Sequence, residues 1–221
     1  MESKPGSRLT RRAWLTSLGA AALATAAAAR APASSGTLPV VTLLGDSITA
    51  GLGLPAADAL PAQLAASLQR LGKPVRMRGA GVSGDTTADA LARVGFSVQA
   101  DTRLCLVALG GNDLLQGVEP AAVKASLTAI VRQLKARRIG VLLAGMRAPP
   151  VIGRAYAREF NAVFAEVAKA EGVGLYPFLL DGVAGVSQLN QKDGVHPNAA
   201  GVKIIAGRLA PAVARALSKT R

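Results

Sequence analysis

The 221-residue chain contains one cysteine, one histidine and few aromatics: one Trp, two Tyr and four Phe, or 3% of the residues. A lone cysteine, Cys105, excludes an intramolecular disulfide, and without a Cys/His cluster there is no zinc ligand set. Cys105 instead reads as a buried residue of a core strand. The scarcity of aromatics removes the stacking platforms on which single-stranded nucleic acids are held. With one histidine, any chemistry that needs an imidazole base must use His196. Acidic residues are also few, 13 against 26 Lys plus Arg, giving a formal charge of +13 and a pI near 11.1. That balance alone invites a nucleic-acid reading. What is plentiful is apolar: 50% hydrophobic and 18% charged residues argue against disorder and for one domain with a sizeable core.

Part of the charge belongs to a targeting segment. Residues 1–33 combine a basic start (Lys4, Arg8, Arg11, Arg12), an Ala/Leu-rich apolar stretch and small residues suited to cleavage after Ala29 or Ala33. Thr10-Arg11-Arg12-Ala13-Trp14-Leu15 resembles a twin-arginine export address. The apolar run Ala13–Ala29 is short and alanine-dominated for a spanning helix, which makes an uncleaved membrane anchor the weaker alternative. An exported, periplasmic protein is therefore expected. Without residues 1–33 the balance is 21 basic to 12 acidic, or +9. Those charges are dispersed, with no basic run interleaved with aromatics. They predict a solvated surface with some attraction to anionic lipid or envelope polymers and no nucleic-acid partner.

In the remaining chain, short apolar runs at Val40–Leu44, Val75–Arg78, Leu104–Leu109, Ile139–Ala144 and Val173–Tyr176 predict strands. Helical patterns lie between them: Leu60–Leu71, Thr86–Val98, Ala121–Arg137, Ala155–Ala170 and Ala199–Leu217. Gly72, Gly140 and Gly172 punctuate helix ends, and Pro120 and Pro197 stand where helices begin. Five strands alternating with helices predict one α/β domain with a parallel sheet covered on both faces. In such sheets the ligand crevice lies in the loops after the strand C-termini.

Four segments in or near those loops carry chemistry. Gly45-Asp46-Ser47-Ile48-Thr49 presents a serine just past the first strand; Thr49 rules out a G-x-S-x-G elbow, and simple capping of the next helix is the bland alternative. Gly79-Ala80-Gly81-Val82-Ser83-Gly84-Asp85 contains a formal G-x-G-x-x-G. The acidic ribose ligand that a dinucleotide site requires is absent from the end of the next strand, since Asp101 precedes it, so a Gly-rich loop able to face an oxyanion is left. Gly110-Gly111-Asn112-Asp113 offers an amide donor, or an ordinary helix cap. Asp193-Gly194-Val195-His196-Pro197 places a carboxylate three residues before the only imidazole, where it can hold the ring. Together they supply a nucleophile, a base, an orienting acid and oxyanion donors, the parts of an acyl-transfer site.

These blocks resemble the SGNH (GDSL) hydrolase family, and within it the bacterial periplasmic arylesterase, lysophospholipase and acyl-CoA thioesterase group. The resemblance runs on through Gly51-Leu52-Gly53-Leu54, Arg147-Ala148-Pro149-Pro150 and Pro177-Phe178-Leu179-Leu180, and covers nearly all of residues 38–218. It implies a three-layer α/β/α sandwich whose five-stranded sheet has the order 2-1-3-4-5. It implies Ser47 as nucleophile, His196 as base and Asp193 as its orienter, with an oxyanion hole from the Ser47 N–H, the Gly84 N–H and the Asn112 side chain. It further implies hydrolysis of esters and thioesters through an acyl-enzyme with no metal or organic cofactor; a monomer is expected, though the sequence itself does not give the oligomeric state. An O-acetylesterase of envelope polysaccharide or peptidoglycan is the alternative. The chain departs from the family pattern at Ala108-Leu109, where an acidic residue is common, and at Val151-Ile152-Gly153, where a more polar, aromatic segment is usual.

Overall fold

The computed structural model describes residues 37–220; the expected export signal and its cleavage points lie outside the described residues. Five strands, β1 (Val40–Gly45), β2 (Arg76–Gly81), β3 (Thr102–Ala108), β4 (Gly140–Ala144) and β5 (Gly174–Tyr176), form one sheet in the order β2-β1-β3-β4-β5. All four pairings are parallel. Five long helices connect or follow the strands: α2 (Leu60–Arg70), α3 (Thr87–Ser97), α5 (Pro120–Ala136), α6 (Arg154–Glu171) and α7 (Ala199–Lys219). Two short ones, α1 (Ser47–Ala50) and α4 (Gly111–Leu115), sit directly after β1 and β3. Helices α2 and α7 pack together, and α3, α5 and α6 form a second group, which makes the three-layer sandwich.

The core follows from the apolar runs. Every residue of β1 is buried, as expected for a strand covered on both faces. The amphipathic helices add their inward stripes, for example Val123, Leu127, Ile130, Val131 and Leu134 of α5. Leu106 of β3 is fully buried, and its truncation to alanine costs about 2–5 kcal/mol. Cys105 lies in this core, where burial pushes its thiol up to about 12. Among the described residues, no helix is long and apolar enough to cross a membrane.

Two expectations are corrected. The second strand does not stop at Arg78 but runs through Gly79-Ala80-Gly81, so the first half of the G-x-G-x-x-G is strand and not phosphate loop. A Cβ on Gly81 would come within 2.4 Å of the Ala50 nitrogen; that glycine exists to let α1 lie against β2. Helix α5 is terminated not by Gly140, which opens β4, but by Arg138 in the left-handed region (φ +60°), the one non-glycine residue there among those described. Arg78 and Arg76 of β2 clasp Asp101 at 2.7 and 2.5 Å. That places Asp101 at the strand N-termini, the edge opposite to the one a ribose would need.

The register places the strand C-termini in a row, Gly81 beside Gly45, Gly45 beside Ala108, Ala108 beside Ala144 and Ala144 beside Tyr176. All the loops that follow therefore open on one edge of the sheet.

Candidate active site

Ser47 is the first residue of α1, and the cap is its neighbour: the Asp46 carboxylate accepts the Ile48 N–H at 3.0 Å. The capping reading of Ser47 thus gives way to one in which its hydroxyl is free for another partner. That partner is His196, with Ser47 Oγ 2.8 Å from Nε2. On the far side of the ring, Nδ1 lies 2.7 Å from Asp193 Oδ2. The other oxygen of Asp193 accepts the Val195 and His196 backbone N–H groups at 2.9 and 3.0 Å. These bonds, with the one from the ring, hold the Asp193 carboxyl down to about 2, so it is an anion at every working pH. Its acceptor oxygen sets Nδ1 as the protonated ring nitrogen and leaves the Nε2 lone pair for the serine hydroxyl.

The segment that carries His196 is irregular and tied from several sides. Asn190 and Pro197 form an isolated antiparallel bridge, and the Gln191 N–H donates to the His196 carbonyl at 2.7 Å. The Gln191 side-chain amide also donates to the Leu52 carbonyl beyond α1, at 2.8 Å. Asn198 caps α7 through the Ala200 and Gly201 N–H groups.

Asn112 and Gly84 are joined indirectly. The Asn112 side-chain amide donates to the Asp85 carbonyl at 2.9 Å, which links the third block to the residue after Gly84. Neither the Ser47 nor the Gly84 N–H has an acceptor among the described residues. Ser47, Asn112 and His196 share one cleft of about 310 Å³ whose apolar wall includes Leu114, Leu115, Met146 and Leu180; Gly84 is not among its lining residues. A larger hollow of about 560 Å³ opens at the strand N-termini, but its ionisable groups are Lys135, Arg215 and Lys219 alone, with no imidazole or carboxylate among its lining residues.

Three features of the site were not legible in the motifs. Arg93 of α3 donates to the Asp85 carboxylate at 2.6 Å, to the Gly45 carbonyl at 2.9 Å, and to the Ala80 carbonyl and Ser97 hydroxyl at 3.0 Å each. One guanidinium therefore braces the ends of β1 and β2 against the Asp85 loop. The available signal was its position three residues after Ala90 on the inward face of α3, where a cation requires partners. Asp113 is buried and accepts both the N–H and the hydroxyl of Thr87, at 2.9 and 2.6 Å. It thus ties α4 to the start of α3 and does not cap its own helix. Asp46 is 4% exposed, and desolvation pushes its carboxyl up to about 6 against the lowering effects of the Ile48 N–H and His196.

A parallel α/β/α sandwich with a serine, an imidazole and a carboxylate in hydrogen-bonded series at the strand C-termini defines a serine hydrolase. Residues 43–204 match the model of the GDSL-like lipase/acylhydrolase family, and the chain belongs to that family. It is 39% identical to the esterase TesA of Pseudomonas aeruginosa over 75% of this chain and 81% of that protein. It is 38% identical to thioesterase 1/protease 1/lysophospholipase L1 of Escherichia coli over 71% of this chain and 74% of that one. The crystal structure of AlinE4, an SGNH-hydrolase family esterase, superposes with a TM-score of 0.70 at 44% identity, covering 83% of this chain and 98% of that one. The chain is accordingly an enzyme that hydrolyses ester bonds.

Proposed function

We propose that the protein cleaves carboxylic esters and thioesters through an acyl-enzyme on Ser47. The observation that carries this reading is the unbroken series Ser47 Oγ, His196, Asp193, at 2.8 and 2.7 Å. His196 Nε2 takes the hydroxyl proton as Oγ bonds to the acyl carbon. The carbonyl oxygen becomes an anion, met by the Ser47 and Gly84 N–H groups and the Asn112 amide. The carbon–oxygen or carbon–sulfur bond then breaks, and the imidazolium returns its proton to the leaving group. Water repeats the sequence on the acyl-enzyme, its proton passing to Nε2 and from there to Ser47 Oγ. Asp193 keeps the ring in register and stabilises its charged form.

The apolar wall of the cleft suits an aryl or a short-to-medium acyl group. The name of the Escherichia coli relative extends the substrate class to lysophospholipids and thioesters, and acyl-CoA is the thioester that the family resemblance implies. The twin-arginine pattern at Arg11-Arg12 supports export of the enzyme. An O-acetylesterase acting on envelope polymers gains no specific support from the cleft or the relatives.

The test is hydrolysis of p-nitrophenyl acetate, butyrate and longer esters by wild type and Ser47→Ala. Loss of at least a thousandfold in turnover is expected in the variant, together with fluorophosphonate labelling of wild type alone. Comparable rates for the two proteins would remove the assignment.

A further inference from the structure

Arg147 follows β4 and lines the cleft that holds Ser47 and His196. It is exposed, and its guanidinium stands 5.3 Å from the centre of the Phe178 ring. It makes no ion pair among the described residues. The one carboxylate of the segment between Pro177 and Asn190, Asp181, is already held by Arg208 at 2.8 Å. Apart from Arg147, the ionisable groups that line the cleft are Asp46, which is buried, and His196. A guanidinium on an aromatic face loses little of its hydrogen-bonding fork, since the π contact uses its plane and leaves the N–H edge outward. The structure therefore holds in place, along an apolar cleft, a cation that no anion among the described residues neutralises. Anionic oxygens in a planar or tetrahedral array are the complement of that fork.

We propose that Arg147 is an anion subsite, receiving a phosphate carried on the leaving group of the ester or thioester while the acyl chain lies against the apolar wall. The inference rests on the acyl-transfer reading of the cleft. Two kinds of substrate carry such a phosphate, a lysophospholipid in its headgroup and an acyl-CoA in its nucleotide.

The test uses the full chain as wild type, Arg147→Gln and Arg147→Lys, with kcat/KM measured on two matched pairs. Butyryl-CoA is compared with butyryl-N-acetylcysteamine, the same thioester without phosphate. A lysophosphatidylglycerol is compared with the monoacylglycerol of the same acyl chain. Arg147→Gln is expected to lower the phosphate-to-neutral ratio roughly fivefold in at least one pair, the size of a partly solvated ion pair. Arg147→Lys recovers part of it, and added salt lowers the ratio in wild type but not in the Gln variant. A fall confined to the CoA pair assigns the nucleotide phosphate, and one confined to the lipid pair assigns the headgroup. A ratio unchanged in both pairs overturns the subsite even if the enzyme is fully active, which leaves the reaction assignment standing. Calorimetry with free CoA and with glycerol 3-phosphate covers the converse case. A wild type that hydrolyses none of the substrates but binds one of these ligands, more tightly than Arg147→Gln does, keeps the subsite and removes the reaction; binding of neither overturns the subsite.

Discussion

Replacing Asp46 with asparagine is expected to stabilise the enzyme at neutral pH and to leave it unchanged in acid. The side chain is 4% exposed and its carboxyl is raised from 3.8 to about 6, with burial as the largest cause. Between those two values the folded protein holds a proton that the unfolded chain releases, so stability falls as pH rises through that window. The contribution is complete below about pH 3.8 and lost above about pH 6. A gap of roughly two pH units at 1.36 kcal/mol each amounts to about 3 kcal/mol. Asparagine keeps an oxygen to accept the Ile48 N–H and has no charge to desolvate, so Asp46→Asn escapes the loss. The assay is urea denaturation of both proteins at steps from pH 4 to 8. The difference between the two curves isolates Asp46 from the other carboxylates, which titrate alike in both. Thermal melts at pH 7.5 should show the variant higher by roughly 6–12 °C, taking 2–4 °C per kcal/mol for a domain of this size. A variant that is less stable than wild type at pH 7.5, or a difference that does not grow between pH 4 and 6.5, would refute the reasoning.

Other expected outcomes are simpler. Asn112→Ala should lower kcat on p-nitrophenyl butyrate by about a hundredfold or more, the loss of one oxyanion donor, with unfolding unchanged within about 1 kcal/mol by urea titration. Arg93→Met leaves the Asp85 carboxylate without its counter-charge and should destabilise the fold by about 3 kcal/mol, read as a lower urea midpoint. Arg138→Gly relieves the left-handed strain after α5 and should raise stability by about 0.5–1 kcal/mol by the same titration.

Helix and strand periods in the sequence revealed most of the architecture because nearly all the long elements bury a continuous stripe. The observed α6, Arg154–Glu171, differs from its expectation by one residue at each end. The candidate site was legible where its chemistry is local: Asp193 and His196 are three residues apart, and one turn holds both. It was illegible where partners are distant. Thr87 and Asp113 are 26 residues apart, and Arg93 reaches the Gly45 carbonyl across 48; no periodicity encodes such contacts, which exist only once the sheet has aligned its ends. Asp46 shows the same limit in another form. Its place in the motif was plain, but the desolvation that shifts its carboxyl comes from the packing of β1, α1 and the Gly111 turn around it.

The serine and its base are separated by 149 residues, and this distance imposes an order in time. During synthesis at about 5–20 residues per second, Ser47 precedes His196 by roughly 7–30 seconds. Throughout that interval the growing chain has a serine with no base, and it is chemically silent toward the acyl compounds around it. Even the arrival of His196 is not enough, because the segment that carries it is followed by α7, which packs on α2. The site is thus expected to assemble only once α7 has been made, and any product truncated within α7 is expected to be inert however well its sheet has formed.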